Sequence, residues 1–498
     1  MFLLTLYHVL IFFTILRREF TQARLAAAGK IWYNIHQYAL GEIKLKKDNK
    51  RGSFSGKLGY VLATAGSAVG LGNIWRFRYL AAKYGGGAFL LVYLVLALTF
   101  GYTMIMSETA IGRMTGKSPV GAFATFTRNK LMRAGGWINA VIPMLIVPYY
   151  SVIGGWVCRY LWGYVSGQAE TMALEGTFTG FLGSPAATVV CFLAFAAMTM
   201  AVIFGGVENG IEKVSKVMMP ILAVLTLVVV GFSVTRPGAL AGVKYFLIPD
   251  LHNFSLMTVV SALGQMFYSL SIAMGILITF GSYTKKDVDI EGTTVQVEIF
   301  DTAIAVLAGL MLIPAVFAFS GGDAAALGKG PSLMFITLPK VFESMGGAWV
   351  GVLFFLLVLM AALTSSVSLA ETAVSTFEDE FHMSRTKAAF TVSVILVALG
   401  TLSCLGFNVL SGVTPLGMDI LSFFDFLTNS VMMPVAAMAI IVLILKYIRL
   451  DRIEAEITQS SAFKRRSVYR FVVKYLAIAL LVVILVSSIC DAFGLIHI

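Results

Sequence analysis

The sequence predicts an all-α polytopic membrane protein, and two observations support this prediction. Of the 498 residues, 58% are hydrophobic and only 13% are charged, whereas soluble domains contain about 25% charged residues. Apolar runs long enough to cross a bilayer, about 20 residues each, recur along the chain between short polar loops. The sequence lacks the alternating ten-residue strands of outer-membrane barrels, so we predict a bundle of helices.

Eleven apolar runs are predicted to cross the membrane. Each is long enough to reach across the hydrocarbon core of a bilayer as a helix. The predicted spans cover residues 58–80, 88–111, 138–162, 186–204, 214–234, 256–280, 300–319, 346–377, 388–410, 420–445 and 472–490.

Lysine and arginine concentrate in alternate loops between these spans. The basic loops contain Arg113, Lys117, Arg128, Lys130, Arg133, Lys213, Lys216, Lys285, Lys286, Arg385, Lys387, Lys446, Arg449, Arg452 and the cluster at 464–470. The opposite loops contain fewer, among them Arg236, Lys244, Lys329 and Lys340. The positive-inside rule therefore predicts a protein of the cell inner membrane with a cytoplasmic N-terminus and an extracytoplasmic C-terminus. The net charge of +11 reflects this topology and predicts no nucleic-acid partner.

Residues 1–50 differ from the rest of the chain, and we expect an N-terminal extension there. Their apolar stretch, residues 1–16, is too short to span a bilayer comfortably. A secretory signal is disfavoured, because no positive charge precedes this stretch and Arg17 and Arg18 follow it directly. The alternatives that remain are an amphipathic extension and a start codon assigned too early.

The sequence contains no motif typical of an enzyme or a channel. Four cysteines lie in apolar segments without paired spacing, and five histidines are scattered, so neither a disulfide framework nor a zinc site is implied. There is no nucleophile and base at an interpretable spacing, and there is no filter-like repeat. We therefore expect a protein that is not an enzyme and has no organic cofactor.

Two of the predicted spans are interrupted by glycine and small polar residues. The sequence GSAVGLGN occupies residues 66–73 in span 1, and SLSIAMG occupies residues 269–275 in span 6. The chain can be divided into residues 51–234 (spans 1 to 5), residues 235–447 (spans 6 to 10), and a loop with span 11 at 448–498. If the first two parts are inverted repeats, the two interruptions occupy equivalent positions in them, which is typical of a binding site at the membrane midplane. Freed carbonyls there can hold a cation and freed amides an anion. The alternative is close helix packing at small residues.

Three motifs give the chain a specific resemblance to a known family. The runs GYVLATAGSAVGLGNIWRFRYLAAKYGGGAF at 59–89, ALGQMFYSLSIAMG at 262–275 and ALTSS at 362–366 resemble the neurotransmitter:sodium symporters. The resemblance covers residue 51 to the end, in the eleven-span form of bacterial, leucine-transporter-like members. It implies a five-plus-five inverted-repeat fold with discontinuous helices 1 and 6 and an eleventh helix. It also implies sodium-coupled import of a neutral, hydrophobic or aromatic amino acid across the bilayer by alternating access.

The resemblance implies two sites for the transported Na⁺. Site 1 would use Ala68, Asn73, Ser269 and Asp301 together with the substrate carboxylate. Site 2 would use Gly66, Val69, Ala361, Thr364 and Ser365. Carbonyls, hydroxyls, amides and a carboxylate are the oxygen ligands available inside a membrane. The alternative for the two hydroxyls of site 2 is a bond back to their own helix, and for Asp301 it is a cap at the start of span 7.

The resemblance also implies a pocket for the amino acid. Its residues would be Ala68, Leu71, Gly72, Ile146, Tyr150, Tyr268, Ser271, Met274, Ser365 and Leu369. The substrate carboxylate would meet the amides of Leu71 and Gly72 at a half-helix N-terminus, with the Tyr150 hydroxyl nearby. No acidic residue is expected to face the side chain, and Met274 adapts its shape, so a large apolar or aromatic side chain is expected. The alternative for Tyr150 is an ordinary packing role.

Two charged pairs are expected to act as gates. By resemblance, Arg76 would pair with Asp425 on the outer side, directly or through water, and Arg51 would pair with Asp379 on the inner side. An arginine within the membrane is costly unless it is paired. The alternative is that each arginine reaches the membrane surface and stays solvated there.

The chloride site of the family is incomplete in this sequence. Tyr93, Gln265 and Ser269 match three of its four members, but Ala305 occupies the fourth position and offers neither hydroxyl nor charge. Asp301, one turn earlier, can supply the negative charge that balances sodium. We therefore expect chloride-independent transport, with protonation of Asp301 in the empty carrier as a route for proton counterflow.

Two alternative functions share this architecture. One is a proton-coupled amino-acid carrier, against which Asn73, Ser269 and Thr364 favour sodium. The other is a sodium-dependent amino-acid sensor that does not transport, and uptake into vesicles separates it from a carrier.

Overall fold

The computed structural model describes residues 52–250, 252, 254–321, 333–344 and 346–492. Within these ranges the regular secondary structure is helical, apart from one isolated bridge between Gly86 and Pro249. The helices in chain order are α1 (Lys57–Ala68), α2 (Phe77–Lys83), α3 (Gly87–Thr115), α4 (Pro119–Phe126), α5 (Lys130–Val165), α6 (Ala169–Ala173), α7 (Thr177–Leu182), α8 (Pro185–Phe204), α9 (Val207–Val234), α10 (Ala239–Leu247), α11 (Leu256–Ser269), α12 (Ile276–Ser282), α13 (Ile290–Ser320), α14 (Leu338–Ser344), α15 (Ala348–Glu380), α16 (Arg385–Leu405), α17 (Ile420–Ile448), α18 (Leu450–Thr458) and α19 (Arg466–Asp491).

Nine helices in the described part of the chain are long and apolar enough to cross a membrane. Two further crossings are each divided between two short helices, α1 with α2 and α11 with α12. The total is the eleven that the sequence predicts, and the interruptions fall in the first and the sixth. The predicted all-α fold with discontinuous helices 1 and 6 is therefore confirmed. The expected N-terminal extension and Arg51 lie outside the described residues.

Two helices begin well before the predicted spans. The helix α5 begins at Lys130 rather than at 138, and α13 begins at Ile290 rather than at 300. The side chains of Asn129 and Asp289 cap them by accepting hydrogen bonds from the first backbone amides. Each helix thus continues past the apolar run, which is the only part that hydropathy detects. Asp301 consequently lies inside α13, so the alternative that it caps this helix is wrong.

The helices α3 and α12 pack with their backbones in contact. A Cβ built on Gly112 would lie 2.0 Å from the carbonyl oxygen of Ile278, and one on Gly281 would lie 2.5 Å from that of Thr109. Small residues permit this close approach of two membrane helices. The contact holds α12, the second half of span 6, against span 2, next to the break at 269–275.

We expect Gly112→Ala to lower the Tm of the detergent-purified protein by several degrees. The added methyl group meets backbone atoms that cannot rotate away, and overpacking of this kind costs about 1–3 kcal/mol. Gly231→Ala is the matched control, because a Cβ on Gly231 in α9 meets nothing within 4 Å and alanine favours a helix over glycine. Equal Tm values for the two variants would contradict the close contact.

Candidate functional site

The helix of span 1 opens immediately after α1. Val69 is extended, with φ −76° and ψ 98°, and helical hydrogen bonding resumes in the π-helical turn that precedes α2. A Cβ on Gly70 would lie 2.5 Å from Ser365 Oγ, so glycine is required where this backbone passes span 8. The Leu71 amide, which has lost its helical acceptor, donates to the Tyr150 hydroxyl at 3.1 Å.

Span 6 is open between α11 and α12. Ser271 and Ala273 have left-handed φ values of 54° and 57°. Such conformations cost about 1–3 kcal/mol outside glycine and persist only where the surroundings fix them. The Ala273 amide donates to the carboxylate of Glu108 at 2.8 Å, so span 2 holds this turn. Glu108 was not among the predicted residues, and the signal that could have found it is a carboxylate inside an apolar span.

The two breaks face each other across a small cavity. All ten residues predicted for the substrate pocket line it, namely Ala68, Leu71, Gly72, Ile146, Tyr150, Tyr268, Ser271, Met274, Ser365 and Leu369. The described lining contains no charged side chain. The cavity measures about 30 Å³, room for one or two water molecules. A larger ligand therefore requires side chains such as Tyr268 and Met274 to move.

A buried polar cluster joins spans 1, 2, 6 and 7 around Asp301. Its carboxylate accepts hydrogen bonds from Asn73 Nδ2 at 2.7 Å, from the Tyr93 hydroxyl at 3.1 Å and from Ser269 Oγ at 3.1 Å. All four side chains are at most 1% exposed. Ala68, the remaining residue predicted for sodium site 1, lines the adjoining cavity. Oxygen atoms concentrated at such a buried point can hold a cation.

A second group of oxygen atoms lies where span 1 meets span 8. Ser365 Oγ donates to the carbonyls of Gly66 and Val69, both at 3.3 Å. Thr364 Oγ1 donates to the Ala361 carbonyl of its own helix at 3.1 Å, which is the alternative considered for it. A Cβ on Gly66 would nevertheless lie 3.2 Å from Thr364 Cβ. The five residues predicted for sodium site 2 are therefore neighbours.

The outer pair is brought near but not into direct contact. The guanidinium carbon of Arg76 lies 5.5 Å from the ring centre of Tyr268, at the edge of the cavity. Asp425 accepts hydrogen bonds from the Tyr149 hydroxyl at 3.2 Å and from Asn429 Nδ2 at 2.6 Å. No ion pair within 4.0 Å joins these two described residues. Of the two expected pairings, only the one through water is compatible with this geometry.

Carboxylates near the C-terminal end of α15 bind neighbouring elements. Asp379 accepts a hydrogen bond from the Ser118 amide at 2.5 Å, and its expected partner Arg51 is outside the described residues. Glu371, two turns earlier, accepts from both terminal nitrogens of Arg385, at 2.9 and 2.7 Å. This second pair was not predicted, although a carboxylate in an apolar span was again the available signal.

Comparison with known proteins gives consistent matches over most of the chain. The model of the sodium:neurotransmitter symporter family matches residues 51–170 and 174–495. YhdH, an uncharacterized sodium-dependent transporter of Bacillus subtilis, is 34% identical over 83% of this chain and 92% of its own length. MJ1319, an uncharacterized sodium-dependent transporter of Methanocaldococcus jannaschii, is 31% identical over 83% of this chain and 86% of its own. The crystal structure of MhsT in complex with L-phenylalanine matches with a TM-score of 0.80 and 36% identity, covering 88% of this chain and 100% of MhsT.

We expect Asn73→Ala and Thr364→Ala each to weaken sodium binding roughly tenfold or more, because each removes an oxygen from a dehydrated ion. Binding of radioactive sodium to the purified protein is the measurement. Thr99→Ala is the control, since the Thr99 hydroxyl bonds to the Val95 carbonyl at 2.6 Å, away from the cavity. Wild-type sodium affinity in both site variants would contradict the assignment.

Proposed function

Because the chain belongs to the sodium:neurotransmitter symporter family, we propose that it imports a neutral, hydrophobic or aromatic amino acid with sodium by alternating access. The chain is a sodium-dependent symporter and a multi-pass membrane protein, so Na⁺ is its co-transported ion. The choice of substrate rests on the cavity between the two helix breaks, whose described lining contains no charged side chain. MhsT, crystallised with L-phenylalanine, supports the same class of substrate.

The helix breaks supply the groups that would recognise the amino-acid backbone. The substrate carboxylate would bind the amides of Leu71 and Gly72, where the outer half-helix of span 1 begins. The Tyr150 hydroxyl, which the Leu71 amide contacts at 3.1 Å, would then donate to the carboxylate. The substrate amine would meet freed carbonyls of span 6 near Tyr268 and Ser271.

The substrate side chain would pack against the apolar part of the same cavity. Ile146, Met274 and Leu369 line this part and offer no hydrogen-bonding group. A charged side chain would lose its hydration there without gaining a partner, which costs several kcal/mol. Methionine changes shape readily, so movement of Met274 would admit a large apolar or aromatic group.

Transport of sodium and of the substrate would be coupled because the two contact each other in site 1. In site 1 the substrate carboxylate would join Ala68, Asn73, Ser269 and Asp301 as a ligand. Substrate and ion then raise each other's affinity by the same factor, as binding linkage requires. Site 2 lies between spans 1 and 8, and its filling would favour one arrangement of these spans over the other.

Alternating access would proceed with the N-terminus in the cytoplasm and the C-terminus outside. Residues 51–234 and 235–447 would be the two repeats that move against each other, with residues 448–498 outside them. Arg76 and Asp425, linked through water, would close the outer side. Arg51 and Asp379 would close the inner side.

We expect leucine, phenylalanine, tyrosine or tryptophan to raise the Tm of the purified protein in the presence of sodium. A ligand that binds only the folded state stabilises it in proportion to the logarithm of its concentration. The screen should cover the common amino acids with sodium and with choline in its place. Aspartate and lysine serve as controls that the apolar cavity should reject. Stabilisation by a charged amino acid alone would contradict the proposed substrate class.

Uptake of the stabilising amino acid into proteoliposomes completes this test. An inward sodium gradient should drive accumulation, and a proton gradient without sodium should not. Proton-driven uptake would instead establish the alternative proton-coupled carrier. Sodium-dependent binding without uptake by active, sealed vesicles would establish a sensor.

The cluster around Asp301 supports transport without chloride. Tyr93 and Ser269, which match two chloride ligands of the family, both donate to the Asp301 carboxylate. Ala305, one turn further along α13, is fully buried and has no polar side-chain atom. The carboxylate therefore uses the donors that an anion would need, and its charge balances sodium directly.

We expect uptake to be unchanged when gluconate replaces chloride on both sides of the vesicle membrane. A several-fold fall would refute chloride independence. The double variant Asp301→Asn with Ala305→Ser should be active only with chloride, because it exchanges the fixed charge for a binding site. Asp301→Asn alone is the control and should be poorly active in either salt. An active double variant that is indifferent to chloride would contradict the charge-balance argument.

A further inference from the structure

The loop between spans 10 and 11 is bound to the ends of α3 and α13. We call residues 449–465 the docking loop. Its Glu456 forms a buried ion pair with Arg113 at 2.7 Å, and Ser461 donates to Asp289 at 2.5 Å. Partial burial raises the pKa of Asp289, but hydrogen bonds from Ser461 and Gly292 lower it further, so that this pKa lies below its ordinary value. Charged and buried contacts of this kind fix the loop in one position.

The docking loop places a positively charged side chain beside the buried part of α13. Arg465 Nη1 lies 3.8 Å from a carboxylate oxygen of Glu298, and its guanidinium lies over the ring of Tyr102 at 5.0 Å. The Arg465 amide also donates to Glu291 at 3.1 Å. Arg465 is therefore held at this place by three contacts on two helices, two from its guanidinium and one from its backbone amide.

Glu298 is a carboxylate for which the proposed transport mechanism has no use. Its side chain is 1% exposed, and neither oxygen accepts a hydrogen bond from any described residue. The titratable groups that face it are Arg465 from the docking loop, Tyr93 and Tyr102 from α3, and Asp301 from its own helix. Arg465 is the only cation among these described groups. The charge of Glu298 is thus balanced from one side only.

Glu298 and Asp301 lie on the same face of α13, since residues three apart on a helix are neighbours. Charges separated by one helical turn interact strongly where water is excluded. The negative charge of Glu298 favours a cation at Asp301. The positive charge of Arg465, beyond Glu298, opposes that cation less strongly because it is farther away.

We propose that Glu298 and Arg465 set the sodium affinity of site 1 electrostatically, from outside its coordination shell. The inference rests on the proposed function, because it takes the Asp301 cluster as a sodium site. Glu298 raises the affinity, and Arg465 lowers it.

The test measures sodium affinity in Glu298→Gln, Arg465→Gln and the double variant. Binding of radioactive sodium to the purified full-length chain, at constant ionic strength with choline as the replacing cation, gives the Kd. We expect Glu298→Gln to raise the Kd roughly three- to tenfold and Arg465→Gln to lower it by a smaller factor. The Kd of the double variant should lie between those of the two single variants.

Opposite shifts distinguish this role from a structural one. A merely structural contact would make both single variants bind sodium more weakly, with no recovery in the double variant, and that result would overturn the proposal. Unchanged affinity in both single variants would overturn it as well. Arg466→Gln is the matched control, because Arg466 pairs with Glu454 at 2.5 Å rather than with a residue of α13. Its Kd should equal that of the wild type.

Asp301→Asn separates failure of this inference from failure of the proposed function. If it removes one class of sodium-binding site while Glu298→Gln and Arg465→Gln have no effect, site 1 stands and the electrostatic role is wrong. If Asp301→Asn leaves the sodium affinity unchanged, the site itself is wrongly placed. Tm values of all variants verify that each is folded.

Discussion

The breaks in spans 1 and 6 impose the constraint on which the rest of the structure depends. A membrane interior offers no water, so every amide and carbonyl freed from a helix must find a partner within the protein. Side chains from other spans meet this requirement. The Tyr150 hydroxyl contacts the Leu71 amide, Ser365 donates to carbonyls of span 1, Glu108 accepts from the Ala273 amide, and Gln265 donates to the Gly72 carbonyl.

The same requirement explains why the breaks are suited to the proposed binding site. A backbone amide that donates to a hydroxyl oxygen can donate to a carboxylate in its place, and a carbonyl that accepts a hydroxyl proton can bind a cation. Exchange of one partner for another leaves no polar group unsatisfied, so binding avoids the full cost of burying charge. In the proposed mechanism, the substrate carboxylate and sodium would therefore replace hydroxyl partners such as Tyr150 and Ser365 rather than bulk water.

Charge along one face of α13 connects this site to the docking loop. Asp301, Glu298 and Glu291 follow one another toward the start of the helix, and all three are buried. Asp301 is satisfied by neutral donors from three other spans, whereas Glu298 faces the single cation Arg465 among the described residues. The docking loop, although distant in sequence, thus belongs to the electrostatic surroundings of the proposed sodium site.

The sequence by itself determined the membrane class, the number of spans and the two interruptions, which follow from local composition. The residues that line the cavity came from the resemblance to the family, which the sequence also carries. Tertiary structure alone decided that Asn73 donates to Asp301, 228 residues away, that Arg76 lies over Tyr268, and that Arg465 reaches Glu298. Such contacts depend on how helices pack, and hydropathy reports only whether a segment is apolar. Hydropathy also does not detect the polar first turns of α13, because a capped helix continues beyond its apolar run.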